Sequence, residues 1–176
     1  GKKVSWKVQI LDEKKNQSEW SAISHWEMGL LDKADWQAKW IGRTTDTNSH
    51  PAPLLRRAFE VKDKLKRATA YVCGLGYYEL YLNGAKVGDR VLDPAQTSYD
   101  KRAFVVVHDV TRLLRAGANT VGVMLGNGFY GQNLSFGVAG LSYGPPRTRL
   151  LIEITHPDGS QTRVESDASW KGAAGP

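Results

Sequence analysis

Apolar and polar positions alternate with a period of two along most of this chain, most clearly where Tyr78, Leu80 and Leu82 are set against Glu79 and Tyr81. That is the pattern of a strand with one buried face. The run stops at Asn83-Gly84, residues that tolerate the positive φ of a tight two-residue turn. The spacing therefore predicts a central β-hairpin with a return strand over 86–92. The return strand is expected to end at Asp93-Pro94, where proline removes a ladder donor and holds the preceding residue extended. A polar, aromatic loop with Gln96, Thr97, Ser98, Tyr99 and Asp100 follows. Further strands are predicted over 54–61, 68–73, 103–107, 120–125, 150–155 and 162–165, the last two joined across Pro157-Asp158-Gly159. Only 110–115 reads as helical, a single turn that Gly117 ends. Many short strands divided by Gly, Pro and Asp turns, without alternating helices, predict an all-β fold, an antiparallel jelly-roll-like β-sandwich.

The first 53 residues read differently. Trp6, Val8 and Ile10 alternate, residues 12–16 form a charged turn, and a second run ends at Trp26-Glu27-Met28-Gly29. Two strands alone have no core, so residues 1–30 are expected either to pack on the following domain or to be the tail of an upstream sandwich. The absence of an initiator methionine agrees with a chain cut from something longer. Residues 31–53 read as a linker docked through Trp36 and Trp40, tryptophans that suit interdomain packing or sugar stacking. Residues 54–176 are long enough for one complete domain.

Charge and composition narrow the function. The net charge is +6 over 176 residues, but the basic residues are dispersed, and the densest run, 62–67, contains Asp63. This is a solvated turn rather than a basic stripe, and no nucleic-acid partner is expected. No apolar run reaches the length of a membrane span. The single cysteine, Cys73, excludes an internal disulfide and reads as an inert core thiol.

Catalytic signatures are weak. Gly126-Asn127-Gly128-Phe129-Tyr130-Gly131 matches the dinucleotide fingerprint, but that chemistry needs a helix directly after it, and glycine-rich sequence follows instead. A long loop over 126–146, of a length that is usually functional or mobile, is the better reading. His25, His50, His108 and His156 lack metal-ligand spacing and read as isolated surface or turn residues. Asp89, Asp93, Asp100 and Asp109 suit turn caps, or ligation of sugar hydroxyls or calcium. Their sequence spacing cannot show the paired geometry that glycoside hydrolysis requires.

A string of motifs in order then carries a resemblance: Gly74-Leu75-Gly76-Tyr77-Tyr78-Glu79-Leu80-Tyr81-Leu82-Asn83-Gly84, Val87-Gly88-Asp89, Leu92-Asp93-Pro94, Thr97-Ser98-Tyr99-Asp100-Lys101-Arg102, Asp109-Val110-Thr111 and Gly126-Asn127-Gly128-Phe129-Tyr130. Together they resemble the N-terminal accessory β-sandwich of bacterial α-L-rhamnosidases, inverting enzymes of glycoside hydrolase family 78. Residues 1–30 are similar to the C-terminal hairpin of the fibronectin-III- or Ig-like domain that precedes it. The resemblance implies a galactose-binding-like sandwich over 54–176 and a parent enzyme that cleaves terminal α-L-rhamnose with a catalytic (α/α)-barrel outside this chain. It further implies that this fragment is non-catalytic, serving either in recognition of L-rhamnose-containing carbohydrate or as a spacer packed on the barrel. Recognition would use exposed aromatics and carboxamides on one rim, with Asp93, Tyr99, Asn127, Tyr130, Asn133 and Tyr143 as candidates. No cofactor is required; calcium enters by resemblance alone. Two departures weaken an aromatic platform: Ala95-Gln96 stands where the family has Gly-Trp, and Phe129 where it has Trp. The compartment is not legible, with the periplasm or exterior favoured over the cytoplasm.

Overall fold

The structure is a computed structural model that describes residues 3–42, 52–132, 134–135, 138–139 and 142–175. The strands are β1 (Lys3–Trp6), β2 (Ser24–Glu27), β3 (Ile41–Gly42), β4 (Pro53–Val61), β5 (Arg67–Leu75), β6 (Tyr77–Leu82), β7 (Ala85–Lys86), β8 (Val105–Asp109), β9 (Gly117–Gly126), β10 (Leu134–Ser135), β11 (Val138–Ala139), β12 (Arg147–Thr155), β13 (Gln161–Glu165) and β14 (Lys171–Ala174). Two short 3₁₀ turns, Lys33–Asp35 and Thr111–Leu113, are the helical elements among the described residues. The chain divides into two compact units, residues 1–37 and 38–176.

In the first unit β1 and β2 pair antiparallel, with Val4 opposite Trp26. Bonds from Val8 N to Ser21 Oγ and from Ile10 N to Ser18 Oγ continue the ribbon toward its tip. There Asp12 Oδ1 accepts from the amides of Lys14 and Asn16. Trp6, Val8, Ile10, Trp20, Ile23 and Trp26 are all exposed, as expected of two strands that cannot enclose a core.

The second unit is a sandwich of two five-stranded antiparallel sheets. One has the order β13-β12-β5-β8 with β3 also on β12, and the other the order β14-β4-β9-β6-β7. Alternation in β6 works as the sequence predicts: Tyr78, Leu80 and Leu82 are buried, and Tyr77, Glu79 and Tyr81 are partly exposed. Between the sheets these side chains meet Val121, Val123 and Leu125 of β9, Val72 of β5, and Leu150, Ile152 and Ile154 of β12. Fully burying each such side chain contributes about 1.5–3 kcal/mol.

Three features depart from the sequence pattern. The return strand expected over 86–92 is only the two residues of β7. Val87 N still donates to Leu80 O, but Gly88 at φ +72° turns the chain away, and it crosses to β8 on the other sheet. Strand β14 pairs with β4 through its backbone while its side chains are exposed, so Lys-Gly-Ala-Ala carries no alternation to find. The stretch read as linker divides between the units: Ile41 and Gly42 pair with Thr148 and Arg147 of β12, and Lys39 N donates to Ser166 O. Cys73 is buried, as expected of an inert core thiol. Burial pushes its thiol pKa up to about 12, which keeps it protonated and unreactive.

Opposite the end that carries the 126–131 loop, Asn119 organises the polar closure of the sandwich. It is 2% exposed. Its Oδ1 accepts from Asn83 Nδ2 (2.9 Å) and Arg115 N (3.1 Å), and its Nδ2 donates to the carbonyls of Arg115 (2.7 Å) and Gly117 (2.9 Å). Asn83, in the hairpin turn at φ +51°, accepts from Thr120 N at 2.9 Å. The turn that starts the hairpin is thereby bonded to the start of β9.

Candidate functional site: a tyrosine cluster at one end of the sandwich

Strand β9 ends where β6 begins, Tyr77 paired with Gly126. The loops beyond them are held by backbone bonds: Tyr78 N to Asp93 O (2.9 Å), Gly131 N to Asn127 O (2.8 Å) and Tyr143 N to Tyr130 O (2.9 Å). These bonds gather segments distant in sequence into one rim.

Three candidates meet there. The Tyr99 ring stands edge-on to Tyr130 (centroids 5.1 Å, 88°) and to Tyr143 (5.3 Å, 71°), while Tyr130 and Tyr143 stack at 5.7 Å and 17°. Such geometries contribute about 0.5–1.5 kcal/mol per pair beyond area burial. Tyr143 is 53% exposed and Phe129 41% exposed; Tyr99 and Tyr130 are half-buried. Burial raises the Tyr99 pKa, with the Tyr77 and Tyr143 phenols adding to the rise. At neutral pH its hydroxyl is therefore intact, able to donate and accept. Tyr77, part of the Gly74–Gly84 motif in the sequence, borders the cluster: a Cβ on Gly128 would come within 3.1 Å of its ring. Aromatic faces beside hydroxyl groups suit the apolar face and hydroxyls of a sugar ring.

The other candidates fall elsewhere. Asn133 lies outside the described residues. Asn127 is half-buried, and its carbonyl closes the turn to Gly131. Asp93 belongs to a separate group. Its nearest cation is Arg90, at 3.9 Å from Oδ2. That is too long for a hydrogen bond, and Oδ2 is buried without one. Beside it Tyr78 Oη and His108 Nε2 lie 2.9 Å apart. The tyrosine pKa is raised, first by burial and then by the Asp93 charge.

The sequence reading of the histidines needs correction at two positions. His108 is half-buried against Tyr78, and His156 is buried, its Nε2 2.9 Å from Thr162 Oγ1. His108 meets a tyrosine thirty residues away, and His156 Nδ1 lies 3.3 Å from Lys64 O, proximities that spacing in sequence cannot show. His25 contacts Ser5 Oγ at 2.9 Å on the surface, and His50 lies outside the described residues.

Burial depresses the His108 pKa, Asp93 opposes the shift, and Arg90 adds to it. The unfolded chain therefore takes up the proton more readily than the fold. This contribution to stability is complete above the ordinary histidine pKa of about 6.5 and is lost as the pH falls from there toward the depressed value. Urea midpoints at pH 7.5 and 5.5 should fall further for the unaltered chain than for His108→Gln; equal falls would refute the assignment.

Of the aspartates singled out in the sequence, Asp109 acts as a turn cap. Asp109 Oδ1 accepts from Thr111 N (2.9 Å) and Thr111 Oγ1 (2.6 Å), and these bonds lower its pKa. Among the described residues no three His, Cys, Asp or Glu side chains are grouped to hold a metal ion. The 126–131 segment leads from β9 into a turn, not a helix, so it lacks the helix N-terminus that a pyrophosphate site uses.

Residues 63–176 match the α-L-rhamnosidase N-terminal domain. The chain belongs to that family. Residues 1–32 match the Rha78A-like N-terminal immunoglobulin domain. An α-L-rhamnosidase of Formosa agariphila is 40% identical over 97% of this chain, which spans 21% of that protein. Thus the rhamnosidase N-terminal domain described here, with its flanking residues, covers about a fifth of the length of the curated relatives it matches. The native α-L-rhamnosidase structure from Aspergillus terreus is similar at TM-score 0.90 and 33% identity, over 100% of this chain and 21% of that one. The Streptomyces avermitilis α-L-rhamnosidase complexed with L-rhamnose follows at TM-score 0.68 and 35% identity, over 72% of this chain and 12% of that one. Outside the rhamnosidases, an apo lectin from Pleurotus ostreatus is similar at TM-score 0.52 and 27% identity, over 78% of this chain and 34% of that one.

Proposed function

We propose that this chain is a non-catalytic accessory part of an α-L-rhamnosidase and that it recognises L-rhamnose-containing carbohydrate through Tyr99, Tyr130 and Tyr143. The observation that carries the reading is the convergence of these three tyrosines, from three separate loops, into one partly exposed cluster. The similarity to a lectin supports it. In this reading the parent cleaves terminal α-L-rhamnose with carboxylates in a barrel outside this chain. Calcium joins the sugar site only if carbonyl and hydroxyl oxygens of the rim complete its shell.

A second reading, a spacer packed on the catalytic barrel, is favoured by a different observation. Phe104, Val105 and Val107 are exposed along the edge strand β8, and apolar surface of this kind is what a covering domain would bury.

Calorimetric titration of the chain with L-rhamnose, with and without calcium, separates the two. Saturable heat in the millimolar range is expected, weakened at least tenfold by Tyr130→Ala, about 1.4 kcal/mol, and largely retained by Tyr130→Phe. Dependence on calcium would be abolished by chelator. Absence of heat at millimolar sugar refutes recognition and leaves the spacer. Turnover of an aryl α-L-rhamnoside by the chain would refute its non-catalytic role.

A further inference from the structure

The chain between β7 and β8 contains a second unusual feature. Leu92 has φ +59°, a left-handed conformation that costs a non-glycine residue roughly 1–2 kcal/mol. Its side chain and that of Val91 are 66% and 68% exposed. A loop that only had to turn would place glycine or asparagine there, as this same segment does at Gly88. Leucine at a strained, exposed position instead displays an apolar side chain, and strain held against packing and hydrogen bonds is a mark of functional sites. The backbone bond from Tyr78 N to Asp93 O, directly after Leu92, pins the tip in place.

Beneath the tip lies a recess of about 280 Å³, with Val91, Leu92, Ala52, Tyr77 and Met124 on its walls. Glu79 also borders it, but Lys86 Nζ and Tyr81 Oη each approach its carboxylate to 2.5 Å. That charge is already compensated, and the recess is apolar in character. Its size suits a single aromatic ring rather than a peptide segment.

Tyr77 joins this recess to the tyrosine cluster. It lines the recess on one side, and on the other it packs beside Gly128, two residues before Tyr130. A ligand lying across Tyr77 would place a sugar on one side and an apolar group on the other. We propose that the Val91–Leu92 tip and its recess form an apolar subsite for the aryl aglycone of a glycoside whose sugar rests on Tyr99, Tyr130 and Tyr143. The inference rests on the carbohydrate reading above and extends it to the part of the ligand beyond the sugar.

The test titrates the chain with methyl α-L-rhamnoside and with 4-nitrophenyl α-L-rhamnoside, before and after Leu92→Gly. Glycine relieves the positive φ, so this variant should fold with an unchanged or higher Tm. The expected result is an aryl glycoside bound about tenfold more tightly than the methyl glycoside, with the advantage erased by Leu92→Gly and methyl glycoside binding unchanged. Equal affinities in the unaltered chain, or an advantage that survives Leu92→Gly, overturn the subsite and leave sugar recognition standing. Failure of both glycosides to bind overturns the carbohydrate reading itself and the subsite with it.

Discussion

Gly76→Ala is expected to destabilise the sandwich by about 2–5 kcal/mol, combining the left-handed penalty of a non-glycine residue with the strain of overpacking. Gly76 joins β5 to β6 at φ +97°. A methyl group there would run into the Gly126 carbonyl oxygen and come within 3.0 Å of the Asn127 carbonyl oxygen. Both obstacles are backbone, so no side-chain rotation relieves them. The displaced atoms begin the loop that carries Tyr130, so the variant should also lose sugar affinity. Urea denaturation gives the stability, and titration with L-rhamnose gives the binding. A midpoint within experimental error of the unaltered chain would show that the β6–β9 end yields easily and would refute the tight approach.

Asn119→Asp should cost about 3–5 kcal/mol at neutral pH, the range for leaving a buried charge without its partner. The native amide donates to two carbonyls, Arg115 O and Gly117 O. A carboxylate oxygen in its place would face them with no proton to offer, in a position excluded from water. Burial and the two carbonyls would raise the introduced group's folded pKa above its unfolded value. Stability should therefore be fullest below the unfolded pKa and be lost as pH rises from there through the raised folded pKa. Urea midpoints at pH 7 and pH 5 test this, with Asn119→Ala as reference because it loses the bonds without adding a titrating group. A difference between the two variants that does not narrow at pH 5 would contradict the mechanism.

The two substitutions probe opposite kinds of information. Gly76 was legible as part of Gly-Leu-Gly-Tyr-Tyr, but its necessity comes from the backbone of β9, fifty residues away in sequence. Asn119 bonds Arg115 and Gly117 within four residues, and its bond from Asn83 is the one that spans the fold. It precedes Thr120 in an ordinary-looking strand, and its importance lies in the turn carbonyls that surround it. The same contrast holds at the candidate site. Tyr99, Tyr130 and Tyr143 could be named as aromatic loop residues, and the structure brings them together. Asp93 shares their loop region, yet its carboxylate turns toward Arg90, Tyr78 and His108. The return strand expected over 86–92 hid the Val91–Leu92 tip, and Tyr77 gains its place only from Gly128, fifty-one residues on, packing beside it.

By itself the sequence determined the all-β class, the central hairpin with its Asn83-Gly84 turn, the alternating face of β6 and the resemblance to rhamnosidase N-terminal domains. Each of these follows from local backbone preference, period-two burial or motif order, which act over a few residues and survive without tertiary context. Only the tertiary structure decided the short β7, the edge strand β14, the buried His108 and His156, the bond between Asn83 and Asn119 and the meeting of three tyrosine loops. Those features depend on which distant backbone groups and side chains share one end of the sandwich. Packing sets that proximity through contacts between residues far apart in the chain.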